Sequence, residues 1–462
     1  MKIYNTLSRK IEDFVPHEEG KVKLYTCGPT VYSYAHIGNM RNYIGHDILD
    51  KTLRYIGYDV TRCMNITDVG HLTSDSDTGE DKMLKAVKKE HKTAHDIAKF
   101  YTDEFFKDYD LLNLRRPEIV SKATDNIDEY IKIIEKLLEK GYAYKSGGNI
   151  YFDTTKLNDY YVLTNHKEDE MVVGVREGVE KDDNKHNQND FVLWFTISKY
   201  ENHELKWDSP FGKGYPGWHI ECSGISIKYL GEYLDIHGGG VDNIFPHHTN
   251  EIAQSESYLG HKWCNYWFHN EHLLDETGKM SKSTGAILTV SKLKEEGYNP
   301  LSYRFMCLNS HYRKQLVFSF ESLKQNEETL NKLKNKIKKI KKDNNYNEED
   351  FNKYNDMFKE ALENDLNTAN ALTVLYEVIK SDIGNNTKLK LIESFDKVLS
   401  LDLLKEEEID KEIEEKVNKL IEERNKYKSE KNYEKADEIR KQIEDLGAKI
   451  KDTREGTKIV WI

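Results

Sequence analysis

The segment VKLYTCGPTVYSYAHIGN, residues 22–39, decides the fold class of this chain. A short strand pattern runs up to Cys27, and after a Gly-Pro break a helical pattern begins near Ile37. Beyond the Gly57 helix stop, a second strand pattern, DVTRCMNIT, covers residues 59–67. Strand, helix and strand in this order form a βαβ unit of a parallel sheet, so the sequence predicts an α/β fold.

An amphipathic helix and a loop are predicted in the next part of the chain. Residues 124–141 have helical periodicity and end in a glycine suited to a helix C-cap. The polar stretch 165–190 has no periodicity and predicts an exposed loop of an inserted subdomain. A strand pattern, FVLWF, resumes at Phe191. The apolar positions that define the predicted helix face are Ile127, Ile131, Ile134 and Leu138.

The last third of the chain predicts a helical C-terminal region. From about Phe320 onward, strand patterns disappear and runs of Lys, Glu, Leu and Ile with helical spacing take over. Residues 324–342 hold eight lysines against two glutamates, which suits either RNA contact or a solvated helix face. Residues 424–462 hold eleven basic and eight acidic residues with three aromatic residues among them, a mixture that can grip unpaired RNA bases.

Composition narrows the function classes. The net charge of −12 over 462 residues argues against a protein coated in nucleic acid but permits local RNA contact. No apolar run is long enough for a bilayer and no signal-peptide pattern occurs, which predicts a cytoplasmic protein without a membrane partner. Five cysteines in so long a chain predict reduced thiols rather than a disulfide framework, with metal binding as a further use. Those expected to be buried as small apolar residues are Cys63, Cys264 and Cys307.

Two segments carry residue types suited to phosphate. HIGN, at residues 36–39, lies where the first strand gives way to the helix, and a helix N-terminus favours negative charge. Gly38 lets a nucleotide approach the backbone, and His36 can donate to phosphate oxygens. KMSKS, at residues 279–283, places two lysines between flanking glycines, where their charges would stabilise a pyrophosphate developing in the transition state. A flexible surface loop is the alternative interpretation of KMSKS.

A third group of residues suits a metal ion. His247 and Glu251 lie four residues apart, after a proline that fits the first position of a helix, so both side chains share one face. His248, three residues before Glu251, is equally acceptable as a ligand by spacing alone. Spacing therefore predicts a carboxylate and one of two histidines at a metal, and leaves the choice between the histidines open.

The order of HIGN and KMSKS resembles the HIGH and KMSKS signatures of class I aminoacyl-tRNA synthetases, with Asn39 in place of the usual final histidine. Three further segments, CGPTVY from residue 27, GWHIECS from residue 217 and FPHHTNEIAQSE from residue 245, resemble cysteinyl-tRNA synthetases specifically. The resemblance spans most of residues 1–320. It implies a Rossmann-like catalytic domain that activates L-cysteine with ATP and then transfers it to the 3′-terminal adenosine of tRNA(Cys).

The resemblance also implies roles for individual residues. The implied ligands of one Zn²⁺ per chain are Cys27, Cys222, His247 and Glu251, and a structural zinc is the alternative. Thr67 and Trp218 would contact the substrate cysteine, and His36, Lys279 and Lys282 would be catalytic. Mg²⁺ would accompany ATP, and the enzyme would act as a monomer. The implied ATP site comprises Pro29, Thr30, His36, Gly38, Asn39, Gly238, Gly239, Gly240, Asp242, Met280, Ser281, Lys282 and Ser283.

The C-terminal segment RNKYKSEKNYEKADEIRKQIEDLG, residues 424–447, resembles the anticodon-side helical hairpin of these synthetases. One alternative is a ligase that transfers activated cysteine to an amino sugar and needs no anticodon domain. Another is a non-catalytic RNA- or zinc-binding regulator, against which the intact signatures argue. The expected organisation is a catalytic domain in two halves, an inserted connective subdomain, a helical bundle and an anticodon-side domain. In that scheme the catalytic halves are 1–120 and 206–320, the insertion is 121–205, and the last two domains are 321–405 and 406–462.

Overall fold

A computed structural model describes residues 1–69, 93–164, 182–197, 205–275, 278–279, 287–405, 411–453 and 456–461. The chain divides into two compact units, Met1–Leu404 and Lys405–Ile462. The strands are β1 (Lys2–Asn5), β2 (Lys10–Asp13), β3 (Lys21–Thr26), β4 (Asp59–Ile66), β5 (Ile119–Lys122), β6 (Ala143–Ser146), β7 (Asn149–Phe152), β8 (Phe191–Phe195), β9 (Tyr215–Pro216), β10 (Leu234–Gly240), β11 (Cys264–Asn270), β12 (Leu273–Asp275), β13 (Gly278–Lys279), β14 (Leu316–Val317), β15 (Ala448–Thr453) and β16 (Gly456–Trp461).

Both units also contain α-helices. They are α1 (Ile37–Tyr55), α2 (Ala94–Leu111), α3 (Ile127–Glu139), α4 (Trp218–Leu230), α5 (Thr249–Leu259), α6 (Val290–Glu295), α7 (Pro300–Leu308), α8 (Phe320–Lys338), α9 (Glu348–Glu363), α10 (Thr368–Lys380), α11 (Asn385–Leu399), α12 (Lys411–Ser429) and α13 (Tyr433–Asp445). Among the described residues, no helix is both long enough and apolar enough to cross a membrane.

A five-stranded sheet of order β11-β10-β3-β4-β5 forms the centre of the first unit, and every pair in it is parallel. The predicted βαβ unit is confirmed, since β3 and β4 flank α1 and pair in register from Lys21 with Asp59 to Thr26 with Met64. Gly57 ends the helix with a φ of +108°, a backbone conformation that favours glycine. The chain is therefore α/β, as the sequence predicts.

Parallel pairing brings the carboxyl ends of the central strands to one edge of the sheet. Thr26 pairs with Gly238 of β10, and Gly240 pairs with Asn270 of β11. Beyond β4, Thr67 makes a further parallel bridge to Thr30. Ligands of parallel α/β sheets bind at this edge, so the fold gathers the candidate residues of several distant segments there.

A second sheet, antiparallel and of order β6-β7-β8-β9, is formed by strands that lie between β5 and β10 along the chain. The predicted strand FVLWF is its third strand, β8.

The predicted helix at 124–141 is present as α3, but its predicted face is partly wrong. Ile127 and Ile134 are buried, whereas Ile131 and Leu138 are only half-buried. The buried face instead passes through Tyr130, Ile133 and Leu137, one position before the half-buried pair at two of its turns, and the run of adjacent aliphatic residues fits both faces. Of the predicted loop at 165–190, residues 165–181 lie outside the described residues.

The thiols outside the candidate site behave as the sequence predicts. Cys63, Cys264 and Cys307 are free and buried. Burial raises the pKa of Cys63 to about 12. These cysteines therefore pack as small apolar residues.

The lysine-rich stretch 324–342 begins in α8 and shows how the helix distributes its residues. Its apolar side chains face inward, and nearly all of its lysines lie on the exposed surface. This is the arrangement of an amphipathic helix with a solvated face, and that exposed face is equally accessible to RNA. The buried positions are Leu323, Leu330, Leu333 and Ile337.

The second unit contains the predicted helical hairpin, formed by α12 and α13. The prediction that strands are absent after Phe320 is wrong, because β15 and β16 pair as an antiparallel hairpin with Ala448 opposite Trp461. Gly447, with a φ of +80°, separates α13 from this hairpin. Ala448 and Ile450 are buried and alternate with the exposed Lys449 and Lys451, so the pattern typical of a strand was present but short, and it follows a long helical run of Lys and Glu.

Candidate active site and metal cluster

A cleft of about 630 Å³ lies at the carboxyl edge of the parallel sheet. Its walls come from the segment between β3 and α1, the start of α4 and the segments that follow β10 and β11. A concave site of this size can hold an amino acid together with a nucleotide. The sequence-predicted residues that line it are Cys27, Pro29, Thr30, His36, Gly38, Asn39, Thr67, Trp218, Cys222, Gly240, Asp242 and His247.

Other predicted residues lie elsewhere or outside the described part of the chain. Gly238 and Gly239 are within β10, where an added Cβ atom would meet the His46 ring at 3.0 Å and the His248 ring at 2.6 Å, respectively. These two glycines therefore make room for histidine rings. The backbone of Lys279 belongs to β13, which pairs with β12 beside the cleft. The predicted ATP residues outside the described residues are Met280, Ser281, Lys282 and Ser283.

The nucleotide end of the cleft is built by a reciprocal cap at the start of α1. His36 Nδ1 accepts a hydrogen bond from Asn39 N–H at 3.2 Å, and Asn39 Oδ1 accepts one from His36 N–H at 3.1 Å. Because Nδ1 is an acceptor, the proton of the neutral ring lies on Nε2. An added Cβ at Gly38 would lie 2.9 Å from the His36 ring. Gly38 therefore leaves room for the His36 ring, and Asn39 fixes the position of His36 through its hydrogen bonds.

The loop after β3 is fixed by hydrogen bonds to β4. Gly28 N–H donates to Asn65 Oδ1 at 2.7 Å, and a Cβ at Gly28 would lie 1.6 Å from the Asn65 carbonyl oxygen. Thr67 N–H donates to Pro29 O at 3.0 Å. The Thr67 hydroxyl donates to Glu221 Oε2 at 2.9 Å, which orients it at the edge of the cleft. Only glycine permits this close approach of the two backbone segments.

Four buried side chains form a cluster at the floor of the cleft. The Sγ atoms of Cys27 and Cys222 lie 4.0 Å apart, and Cys222 Sγ lies 3.5 Å from His247 Nε2. His247 Nε2 lies 3.0 Å from Glu251 Oε1, and one ligand atom from each residue falls within 4.8 Å of the others. Donors around a tetrahedral Zn²⁺ at roughly 2.0–2.3 Å are about 3.3–3.8 Å apart, so the cluster has the dimensions of a zinc site.

Pro246 lies at the start of the helical segment that carries the candidate metal ligands, as the sequence predicts. Phe245 has extended backbone angles (φ −138°, ψ 132°), and the helical backbone that follows it continues through His248 into α5. This helical turn brings His247 and Glu251 to one face, with His247 Nε2 3.0 Å from Glu251 Oε1.

The choice between the two adjacent histidines depends on exposure to the cleft. His248 Nε2 lies 3.3 Å from Cys27 Sγ and 3.9 Å from Glu251 Oε1, so distance does not exclude it as a ligand. Among the described residues, however, His247 lines the cleft and His248 does not. Only the set that contains His247 is thus open to a substrate.

The electrostatics of the cluster favour positive charge beside Glu251. Burial opposes the charge of His247, but Glu251 and Cys222 outweigh burial and raise the pKa of His247 to about 10. Burial also opposes the Glu251 charge, but His237 and His247 lower its pKa to about 2. The His247 ring, whose Nε2 lies 3.0 Å from Glu251 Oε1, supplies this positive charge, and a bound cation would take its place. Burial raises the pKa of the Cys222 thiol well above its usual range.

Sequence reasoning missed two residues that orient this cluster. His219 Nδ1 lies 2.9 Å from His247 Nδ1, and His237 Nε2 lies 2.8 Å from Glu251 Oε2. The spacing of three residues between His219 and Cys222 on α4 was a usable signal, because it puts both on one helix face. The contact of His237 with Glu251 joins β10 to α5, which no local pattern shows.

Two more predicted residues have identified neighbours at the rim of the cleft. The Trp218 ring stacks on the His247 ring with centroids 4.4 Å apart. Asp242 is half-exposed, and its Oδ1 lies 3.3 Å from His272 Nε2. Trp218 thus stands beside the cluster, whereas Asp242 stands toward the open side of the cleft.

Comparisons with known proteins relate this geometry to a family. A model described as "tRNA synthetases class I (C) catalytic domain" matches residues 13–328, and one described as "DALR domain" matches residues 357–401. The chain is 46% identical to the cysteine--tRNA ligase of Treponema denticola over 495 residues, covering 100% of this chain and 99% of that protein. It is 42% identical to the cysteine--tRNA ligase of Brachyspira hyodysenteriae over 475 residues, with 98% of both chains covered.

A solved structure supports the fold independently. The Mycobacterium tuberculosis methionyl-tRNA synthetase in complex with methionyl-adenylate superposes with a TM-score of 0.57 at 15% identity, over 83% of this chain and 91% of that chain. At this level of identity the likeness shows a shared architecture alone.

Proposed function

The chain belongs to the cysteine--tRNA ligase family of class I aminoacyl-tRNA synthetases, and from that membership we propose how its cleft carries out the reaction. It is an enzyme that activates cysteine with ATP and then joins the cysteine to its tRNA. One observation carries the proposed mechanism: the cluster of two thiols, a histidine and a glutamate lies at the floor of the same cleft onto which α1 opens.

The donor set fits Zn²⁺ with Cys27, Cys222, His247 and Glu251 as ligands. Two thiols and an imidazole are the ligand types that zinc prefers, and the buried Glu251 carboxylate, 3.0 Å from His247 Nε2, would complete the set. Bound zinc would supply a soft acceptor for the thiolate of the substrate. Three of the four ligands line the cleft, which favours a catalytic role over a closed structural one.

The chain's own residues would hold the cysteine against this floor. Trp218, stacked on His247, would cover one side of the substrate, and Thr67, held by Glu221, would contact its polar groups. Both side chains lie at the edge of the same cleft. The amino acid carboxylate would then point toward the nucleotide end, where it can attack the α-phosphate of ATP.

At the nucleotide end, the start of α1 would position the triphosphate. The helix N-terminus favours negative charge, and the proton on His36 Nε2 can be donated to a phosphate oxygen. Gly240 and Asp242 would face the adenosine, and Mg²⁺ would accompany ATP. Lys279 and Lys282 would stabilise the departing pyrophosphate, a role supported by the KMSKS signature and by the position of β12 and β13 beside the cleft.

Transfer to tRNA would use the helical parts of the chain. The DALR match at residues 357–401 covers α10 and α11, and the second unit presents the charged helical hairpin with Tyr427 and Tyr433. Nothing found supports the alternative of an amino sugar acceptor, and full-length likeness to tRNA ligases favours tRNA(Cys). Action as a monomer in the cytoplasm stays a prediction.

ATP–pyrophosphate exchange across the twenty amino acids tests the proposal, together with a metal assay of the purified protein. We expect exchange with cysteine, about one zinc per chain and rejection of serine without a hydrolytic editing step. A site that recognises a substrate group by a specific anchor rejects analogues that lack it by about 10⁴ to 10⁵. Absence of zinc, or a preference for cysteine over serine below about 10³, would contradict the proposed site.

A further inference from the structure

A second set of four potential ligands lies directly behind the cleft-facing cluster. One ligand atom from each of its members falls within 4.8 Å of the others, and all four residues are buried. The set shares a thiol and a carboxylate with the first one, but neither of its histidines is among the described residues that line the cleft. We name it the inner set. Its members are Cys27, His237, His248 and Glu251.

His248 has the hydrogen bonding of a metal ligand. Its Nε2 lies 3.3 Å from Cys27 Sγ, and its Nδ1 lies 2.8 Å from His269 Nε2. His269 Nδ1 in turn lies 2.7 Å from the hydroxyl of Thr6. If each Nδ1 carries the proton and donates it along this chain, His248 Nε2 keeps a lone pair directed at the cluster. Metal-ligating histidines characteristically donate their other ring N–H to such a partner.

His237 is the less favourable member of the inner set. Its Nε2 lies 2.8 Å from Glu251 Oε2, while its Nδ1 is buried and has no hydrogen-bond partner. Binding a metal through Nε2 would move the ring proton to Nδ1, where it finds no acceptor. The inner set should therefore bind a metal more weakly than the set that contains Cys222, so the two sets form a strong and a weak position.

We propose that the inner set is a second position for a thiophilic divalent cation such as Zn²⁺, out of reach of the substrate. The two positions share Cys27 and Glu251, so one ion occupies one or the other. An ion in the inner position has one thiolate and two imidazoles as ligands, and the cleft-facing ion has two thiolates and one imidazole. The chain can thus keep its metal while Cys222 is unavailable, in a state that does not activate cysteine. This inference rests on the proposed function, because it shares two of the proposed ligands.

Zinc X-ray absorption of the full chain carrying Cys222→Ala tests the inference by counting ligands. We expect the variant to retain zinc with one sulfur and two imidazole ligands. One sulfur with a single imidazole would overturn the inner position, because the ion would then have stayed with His247. Loss of zinc from the folded variant would overturn it as well. Circular dichroism checks folding, and Cys222→Ser serves for the same measurement if the alanine variant does not fold.

The adjacent histidines provide a reciprocal control in the Cys222→Ala background. Adding His248→Ala should remove zinc at micromolar concentrations of the metal, whereas adding His247→Ala should leave one zinc per chain. The opposite pattern would show that the residual ion sits in the cleft-facing set and would overturn the inference. Cobalt substitution gives a second readout, since the charge-transfer absorption from sulfur should fall by about half from wild type to Cys222→Ala as two thiolates become one.

Failure of this inference is distinguishable from failure of the proposed function. The proposed function is tested on the unaltered chain, which should show two sulfur ligands and cysteine-dependent pyrophosphate exchange. The inner position is tested on variants by metal content and ligand count alone. A wild-type chain with two sulfur ligands and a Cys222→Ala chain without zinc would leave the function intact and remove the inner position.

Discussion

The two ends of the cleft are built in different ways. At the nucleotide end, His36, Gly38 and Asn39 lie within four residues of each other, and two hydrogen bonds between neighbours hold them. At the metal end, Cys27, Cys222 and the two ligands near α5 come from three distant segments, and all are buried. The first end is local and lies at the cleft wall. The second exists only after the sheet and three helices have assembled.

The two ends are therefore suited to different tasks, phosphate binding at one and recognition of the amino acid at the other. A phosphate needs charge and N–H groups at a helix terminus, which a short sequence can supply wherever a strand meets a helix. Recognition of one thiol among similar amino acids needs a rigid, desolvated set of donors, which a short sequence cannot supply. Alterations at the metal end should therefore change which amino acid is used, and alterations at the nucleotide end should change how fast it is used.

The largest effect is expected for Cys222→Ser. Removal of a thiolate from the cleft-facing set should abolish most cysteine-dependent exchange, and in the residual activity the preference for cysteine over serine should fall from about 10⁴ or more to the roughly 10–200-fold that pockets sensing only size achieve. Pyrophosphate exchange with both amino acids measures it. Cys264→Ser, at a buried thiol that contacts backbone carbonyls only, is the matched control and should keep the preference. A Cys222→Ser enzyme with full zinc and full cysteine activity would refute the assignment.

The next effect in size belongs to Lys282→Ala. Its charge acts mainly in the transition state, so cysteine-dependent exchange should fall by roughly 10² while cysteine binding stays nearly unchanged. Lys282→Arg should recover part of the rate. Lys292→Ala, which removes an exposed lysine ten residues later in the sequence, is the control for loss of one positive charge. A raised KM with an unchanged kcat would contradict this role.

A smaller effect is expected for Asn39→Ala. Loss of the reciprocal cap should lower the free energy of unfolding by about 1 kcal/mol and slow exchange by about fivefold as His36 loses its support. Asn39→Asp keeps an acceptor for the His36 N–H and should restore stability. Its carboxylate would repel the triphosphate, so the KM for ATP should be higher than that of the unaltered enzyme. Thermal unfolding measures the stability, and ATP titration measures the KM. Full recovery of stability and of the KM in Asn39→Asp would show that Asn39 has a purely structural role.

The smallest effect on exchange, close to none, is expected on removal of residues 405–462. This unit has its own apolar core around Val417, Ile439 and Ile443, so the first unit keeps its core without it. Both ends of the cleft should still form the adenylate, while charging of tRNA should weaken. High salt should mimic the deletion in part, because contacts with phosphates are salt-dependent. Equal loss of exchange and charging would show that the unit supports the catalytic fold instead.

The parts of the fold that sequence predicts are those in which neighbours in the chain are neighbours in space. The βαβ unit follows from a strand pattern, a Gly-Pro break and Gly57, all of which act locally. The hairpin of β15 and β16 was missed because its apolar–polar alternation is short and follows a long helical run of Lys and Glu. The phase of α3 was partly missed because aliphatic residues at neighbouring positions, such as Ile133 and Ile134, fit more than one helix face.

The site divides in the same way. Helical spacing predicts that His247 and Glu251 share a face, but it does not choose between His247 and His248. That choice depends on which ring faces the cleft, a property of the packing of α5 against β10. The contact of His237 with Glu251 was invisible for the same reason. Resemblance to a family supplied the two cysteines, which no spacing rule would have joined across 195 residues.

The tight junction between β3 and β4 has a consequence for the length of the substrate. Gly28 and Pro29 are bonded to Asn65 and Thr67, so the short segment between the Cys27 thiol and the nucleotide helix has little freedom to stretch. An amino acid anchored through its sulfur must reach a fixed reaction point with its carboxylate. One additional methylene, a bond of about 1.5 Å, would carry the carboxylate past that point. We therefore expect this junction to limit the side-chain length that the cleft accepts, in addition to the selection for sulfur by the cluster.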